Sequence, residues 1–493
     1  MAIAKIVGLE TEYGIHVTDP EGDPTNGSSQ LINAYVQDIA GRVDWDFDDE
    51  HPGQDARGFR EASGVPVIET HLVNTVLTNG ARYYVDHAHP EYSTPECSTV
   101  LELLAADRAG ELILQRSMDA VRRYLNSDEQ IIIYKNNSDG KGNSYGCHEN
   151  YLVARSLDFK DLAAQFTIHL VTRQVFTGAG KIGCEEPDSQ RRGFEITQRA
   201  DFFEERIGLE TTMNRPIINT RDEPHAEADE YRRLHVITGD ANLSEVATLL
   251  KVGTSALLLM MIEDGVLAGG DLYLRDPVRA MHDVSHDLSL RTPLELESGR
   301  SASAIELQYD LFERAQTYAR QRGLEALGPP EVGELVLSRW EHVLDGLSRD
   351  PASLRQELDW VAKYEIMHAY CERHNCDFDD PRIAALDLQY HDLRSQRSLF
   401  ARLGMEKLLA PEVIESAVIN APLTTRAYFR GECLKRFGRD VVSANWDSIV
   451  VDVGSDPLQR IPMMDPLRGT AAHVATLLDS CDSVQTLISR LNE

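Results

Sequence analysis

The chain is short of positive charge. Against 80 Asp and Glu it has 49 Lys and Arg, a formal net charge of −31. A field of that sign repels phosphate backbones and anionic lipid, so neither nucleic acid nor a membrane is expected as a partner. Cysteine is also sparse: seven residues, an odd number scattered from Cys97 to Cys481, make no disulfide framework in a chain of 493, and reduced thiols are expected. Long apolar runs are missing. The longest late one, Ala256 to Ile262, is too short to span a bilayer, and the opening MAIAKIVGLETEYG has acids at Glu10 and Glu12 where a secretory signal needs apolar residues. The expected location is the cytoplasm. What remains, 42% hydrophobic and 26% charged residues, has the balance of a folded globular protein. The length predicts one large domain with at least one smaller one.

Along the chain, IAKIVGLETEYGIHV alternates β-branched and polar residues and predicts a strand with Glu10 and Glu12 on one face. Residues 41–75 read as a mobile insertion: from Asp44 to Asp55 there are six acids and no Lys or Arg, followed by Gly and Pro through Pro66. ARYYVDHAHPEY predicts a strand ending near Asp86, and Thr99 to Tyr124 a helix behind Ser/Thr capping residues. QIIIYKNN and HENYLVARS predict two strands around the glycine-rich loop SDGKGNSYG. Residues 242–263 predict a buried helix, and 301–322, 331–346 and 352–373 amphipathic ones. The helical pattern breaks at Ala410-Pro411, which sets a large domain at 1–415 and a small C-terminal one at 416–493, with IVVDVG as a strand of the latter.

Four strand-like segments each carry two ligand-type side chains at i and i+2: Glu10 and Glu12, Tyr84 and Asp86, His148 and Asn150, Arg233 and His235. Period-2 spacing puts each pair on one face. If the strands share a sheet, that face gathers carboxylates, imidazoles, a phenol and a guanidinium, which an apolar core would not accept. Oxygen-rich ligands with a few imidazoles suit Mg²⁺ or Mn²⁺ bridging a nucleotide's phosphates, with the arginine balancing the remaining charge. Other signatures are weaker. Gly178-Ala179-Gly180-Lys181-Ile182-Gly183 fits GxGxxG, yet Cys184-Glu185-Glu186-Pro187 follows where a helix should start, so a loop is expected. His368, Cys371, His374 and Cys376 fit no standard zinc spacing and read as core and surface positions. Arg426, Arg430, Lys435, Arg436 and Arg439 fall within fourteen residues against one acid, Glu432, and predict a docking strip for an acidic partner.

Five longer blocks, GLETEYGI, LTNGARYYVDHAHPEYSTPEC, YKNNSDGKGNSYGCHENYL, INTRDEPHAEADEYRRLHVITGDAN and TRAYFRGECLKRFG, resemble the ligase/deamidase family of Pup, the prokaryotic ubiquitin-like protein. That family lies within the glutamine synthetase-like carboxylate-amine ligase superfamily. The 41–75 insertion and the wording Asp86-His87-Ala88-His89 are similar to its deamidase/depupylase branch. The resemblance implies an α+β fold: a glutamine synthetase-like domain with a curved antiparallel sheet packed by helices, plus a small C-terminal α/β domain. It implies ATP and Mg²⁺ as cofactors, with Glu10 as central metal ligand and Tyr84, Glu91, His148 and His235 completing the Mg²⁺ sites. ATP would lie against Gly8, Leu9, Glu10, Thr11, Glu12, Ser93, Thr94, Asn150 and Arg233, with Trp446 at the adenine and Asp86 as the catalytic aspartate. Pup and pupylated proteins are the implied partners. The implied activity is hydrolysis of Pup's C-terminal glutamine amide and of the Pup–lysine isopeptide bond. The alternatives are the family's ligase activity and a nucleotide-bound Pup adaptor without turnover.

Overall fold

Alternating burial makes Val7–Glu12 a strand (β1): Val7, Leu9 and Thr11 point into the interior, while Gly8, Glu10 and Glu12 stay half-buried on the other face. The computed structural model describes residues 2–19, 21–38, 43–47, 50, 53–57, 72–126, 128–183 and 193–493. Among the described residues β1 lies within a ten-stranded sheet with Asp44–Trp45 (β2), Asn74–Val76 (β3), Arg82–Asp86 (β4), His89–Ser93 (β5), Cys147–Ala154 (β6), Tyr231–Val236 (β7), Val441–Ala444 (β8), Ser448–Val451 (β9) and Gln459–Pro462 (β10). Across the sheet the order is β7-β6-β1-β5-β4-β3-β2-β8-β9-β10. Neighbours are antiparallel except β2 and β8, which run parallel where the C-terminal strands join. With the helices below, this is the α+β fold expected.

Helices cover the sheet's apolar face. Val100–Val121 (α1) starts at Thr99, whose side chain accepts a 3.1 Å hydrogen bond from the Glu102 amide, the capping role its position predicts. Glu245–Glu263 (α2) is apolar on all sides and wholly interior; it has the length and composition to cross a membrane, and its place in the core accounts for both. Leu9, Tyr151, Leu234 and Val236 from the strands pack with Leu103, Leu250 and Leu257 in one cluster. Each such side chain contributes about 1.5–3 kcal/mol by leaving water. The three amphipathic segments form Ala304–Arg322, Pro330–Arg349 and Asp359–His374; the last begins late because Pro351–Leu354 closes a separate 3₁₀ turn first.

The 41–75 segment differs from the expected insertion. Its described parts include β2 and β3, which connect the front of the sheet to the C-terminal strands; residues 41–42, 48–49, 51–52 and 58–71 lie outside the described residues. The acid run hides partners from far along the chain: Asp46 meets Arg460 at 2.9 Å, and Asp55 accepts from the Thr220 hydroxyl at 2.9 Å. Trp45 is buried with Val43 and Val76 in a cluster otherwise built from residues 429–487, and its indole N–H donates to Glu50 at 2.7 Å. The boundary expected near 416 falls inside the helix Pro411–Ile419 (α3), which packs on α1. Because Trp45 joins the two ends of the chain, Trp45→Ala should cost about 3–5 kcal/mol. The drop should show as a lower denaturant midpoint; an unchanged midpoint would contradict the role given to β2.

Candidate active site

Register lines up the polar side chains. Asp86 faces His89 across the β4–β5 hairpin; Tyr84 faces Glu91, which faces Glu12; Arg82 faces Ser93, which faces Glu10, which faces His148. Beyond them Gly8 faces Asn150, and Asn150 faces His235. The four i, i+2 pairs therefore share one face of adjacent strands, the condition that the sequence left open. Glycine leaves room at one close approach: a β-carbon on Gly146 would push aside the His148 imidazole and the Glu12 carboxylate.

Two ligand clusters result. In the first, Glu10 lies 3.6 Å from His148 Nδ1 and 3.7 Å from His235 Nε2, with the two rings edge-to-face at 5.0 Å. Burial alone would raise the Glu10 carboxyl, but His148, His235 and Arg233 outweigh it and hold it well below the usual range. Burial depresses both imidazoles, His235 to about 3, so both are neutral donors. His235 is buried and, among the described residues, neither of its ring nitrogens makes a hydrogen bond, as a ligand aimed at an ion would be. In the second cluster the carboxylates of Glu12, Asp86 and Glu91 lie within 4.8 Å of one another. Burial and crowding push Glu12 up to about 7 and Glu91 well above its ordinary value. Burial raises Asp86 too, but His87, 3.2 Å away, more than offsets it and keeps Asp86 low. A divalent cation would displace the protons that this crowding retains. The donor set thus fits Mg²⁺ or Mn²⁺. Tyr84 sits beside it, its hydroxyl 3.4 Å from Ser93 Oγ.

Next to the Glu10 cluster is an open cavity lined by Gly8, Leu9, Glu10, Ser93, Thr94, Asn150, Arg233 and Trp446, eight of the ten positions implied for ATP. Its lining combines apolar groups, Ile6, Leu152, Trp446 and Pro466, with polar ones that include Glu10, Asn150 and Arg233. Such a combination suits a nucleoside phosphate. Asn150 donates to Glu10 at 2.9 Å and accepts from Arg233 at 2.6 Å, while Thr94 Oγ1 accepts from the Leu9 amide at 3.0 Å. The other two positions lie elsewhere. Thr11 points to the buried face, 3.8 Å from Cys147 Sγ, because odd residues of β1 face the core, and Glu12 belongs to the carboxylate cluster.

Only part of the expected docking strip reaches the surface: Lys435, Arg436 and Arg439 are exposed. Arg426 and Arg430 are buried around Glu96. Arg426 donates to Glu96 at 2.7 Å and to the Met463 carbonyl at 2.8 Å. Lys435 and Arg436 bind Glu432 at 2.8 and 3.1 Å, and Arg436 also binds Asp479 at 2.8 Å; Arg439 is exposed. Arg426 caps the helix Ala427–Phe437 (α4) and Arg430, one turn on, faces inward with it, while Lys435 and Arg436 face outward and Arg439 lies beyond the helix, so the five do not form one continuous strip. Burial would raise the Glu96 carboxyl, but Arg430 and Arg426 hold it down at about 2. A depressed carboxyl contributes stability above its unfolded value and loses it as pH falls through the folded one. Glu96→Gln should therefore lower the thermal midpoint at neutral pH, by about 3 kcal/mol of stability. That difference should close as pH falls from 4.5 toward about 2; a gap that persists in acid would contradict the assignment.

Several site residues escaped the sequence reading. Arg82, two residues before Tyr84, lies between the Tyr84 and Trp45 rings, 4.0 Å from each; one more step of the same period would have found it. His225 lines the cavity in a left-handed backbone, φ 46°. Arg199 is buried, donates to Ser144 Oγ at 3.3 Å and, with Arg221, helps burial keep His148 neutral. Gly142-Asn143-Ser144-Tyr145-Gly146 has the spacing of a nucleophile elbow, but strand β6 follows it instead of a helix. Gly178–Gly183 contains a two-residue strand, Lys181–Ile182, and residues 184–192, where a helix would start, lie outside the described residues. Cys371 is packed in the core while His368 and His374 lie on the outer side of their helix.

An acid- and imidazole-lined sheet face beside a cavity is the arrangement expected of the glutamine synthetase-like class. The family model described as Pup-ligase protein matches residues 5–450, and the chain belongs to that family. It is 48% identical to the depupylase of Acidothermus cellulolyticus, covering 99% of both chains, and 46% identical to the Pup deamidase/depupylase of Mycolicibacterium smegmatis, again over 99% of both. To the Pup–protein ligase of Pseudarthrobacter chlorophenolicus the identity is 39%, over 97% of this chain and 99% of that one. Two solved structures share the fold. The complex of Pup with its ligase PafA matches with a TM-score of 0.81 at 33% identity, covering 97% of this chain and 91% of that one. PafA with ADP matches at 0.75 and 36%, covering 82% and 89%.

Proposed function

We propose that the chain is a cytoplasmic, ATP- and Mg²⁺-dependent amidohydrolase that deamidates the C-terminal glutamine of Pup and cleaves the isopeptide bond of pupylated proteins. The observation that carries this reading is the convergence of Glu10, Glu12, Tyr84, Asp86, Glu91, His148 and His235 on one sheet face beside the cavity. The higher identity to depupylases than to the Pup–protein ligase supports hydrolysis over ligation. In both reactions the oxygen of water joins the γ-carboxamide carbon of Pup and the C–N bond breaks. The leaving group is ammonia in one case and the substrate lysine amine in the other, so a single site serves both.

Asp86 ends β4 with its side chain 40% exposed, ionised and held by His87, free to meet an incoming carbonyl. It serves either as nucleophile, forming an anhydride that water opens, or as base toward the attacking oxygen. Asn150 and Arg233 hold the phosphate end of ATP, and Trp446 and Pro466 flank its base. Glu10, His148 and His235, with Glu12, Glu91 and Tyr84, would hold Mg²⁺, which supplies charge compensation for the phosphates and polarisation of the amide. The test is to incubate the protein with ATP, Mg²⁺ and Pup ending in glutamine, then with Pup ending in glutamate plus an acceptor protein, and to follow mass. Conversion of the amide to the acid supports the reading; conjugate formation assigns the ligase, and neither change leaves a binding adaptor.

A further inference from the structure

Trp446 reaches the cavity from the turn between β8 and β9, far in sequence from the strands that carry the polar groups. Two neighbours fix it. Trp45 packs edge-to-face on its ring at 5.1 Å. On another side is Arg430, fully buried, whose Nη1 donates to the Trp446 carbonyl at 2.9 Å and whose guanidinium lies 5.2 Å from the indole. The same guanidinium donates to the Gly80 carbonyl at 2.9 Å and to both oxygens of Glu96. Gly80 turns the chain into β4, and Glu96 follows Ser93 and Thr94 by two to three residues. One planar fork thereby ties the hairpin of the metal face, the Ser93–Thr94 segment and the Trp446 wall. Arginine's fixed donor geometry allows this, and a lysine ammonium does not reach all three.

Resting on the nucleotide reading above, we infer that Arg430 is a positioning residue for ATP: it sets the distance between the Trp446 wall and the Ser93–Thr94 segment without itself touching the ligand. Arg430→Lys keeps a cation beside Glu96 but gives up the carbonyl contacts. ATP affinity by calorimetry should weaken about tenfold. KM for ATP should rise with kcat at saturating ATP little changed, and Pup affinity should stay within about twofold. Because the effect runs through Trp446, Arg430→Lys added to Trp446→Ala should weaken ATP binding no further than Trp446→Ala alone.

Additive losses in that cycle, or ATP affinity unchanged in Arg430→Lys, overturn the inference. So does a parallel loss of ATP and Pup affinity, which marks general loosening. If Arg430→Lys does not fold, hydrogen exchange on the wild-type protein reads the same coupling. ATP should slow exchange at residues 79–81 and 428–432 together with 446, and protection confined to the cavity lining overturns it. A wild-type protein that binds no ATP removes the nucleotide reading and this inference with it, whereas additivity in a protein that does bind removes this inference alone.

Discussion

Asp86→Asn should lower deamidation and depupylation by at least about 10²–10⁴-fold while leaving ATP binding within a few-fold of wild type. The amide keeps the volume of the side chain and removes the charged oxygen. Asp86 is the member of its cluster fitted to react: it is held low by His87, whereas Glu12 and Glu91 are pushed up and so retain protons near neutrality. It sits at the open end of β4 and not in the nucleotide cavity, so its loss should separate turnover from nucleotide affinity. The fold should survive because the side chain is half-exposed and its ion-pair partner among the described residues is its neighbour His87. Steady-state kinetics on both substrates, with calorimetry for ATP, make the test. Near wild-type turnover would remove Asp86 from the chemistry.

Glu10→Ala should abolish Mg-ATP binding as well as activity, weakening affinity by about 100-fold or more. Glu10 is where the metal face and the cavity meet: its carboxylate is close to His148 and His235, accepts from Asn150, and lines the cavity. Its removal leaves two neutral imidazoles and Arg233 to face the phosphates, so the metal loses its central anionic ligand. Arg233 keeps its 2.7 Å bond to the Glu223 carbonyl, and β1 keeps its apolar face, so the protein should still fold. Mg-ATP affinity unchanged by calorimetry would show that Glu10 is not the ligand at the centre.

The sequence by itself determined the local facts. Alternation in GLETE put Glu10 and Glu12 on one side of a strand, Thr99 marked a helix start, and the apolar stretch 242–263 marked a buried helix, which runs from Glu245 to Glu263. It also determined the family, because the quoted blocks are long and carry most of the site. These signals read directly because strand and helix periods act over a few residues and do not depend on what the segment packs against.

Only the tertiary structure decided which faces meet and which charges are hidden. Register aligned Tyr84, Glu91 and Glu12 in one row across three strands. Asp44 and Trp45, in an acid run that reads as loop, became a strand because Val76 and Ala444 supplied its neighbours. Arg426 and Arg430, in a segment that reads as a basic strip, became interior groups because Glu96, more than 300 residues earlier, waits between them. An arginine's burial depends on a compensating carboxylate brought near by the fold, and no local pattern records a partner at that separation.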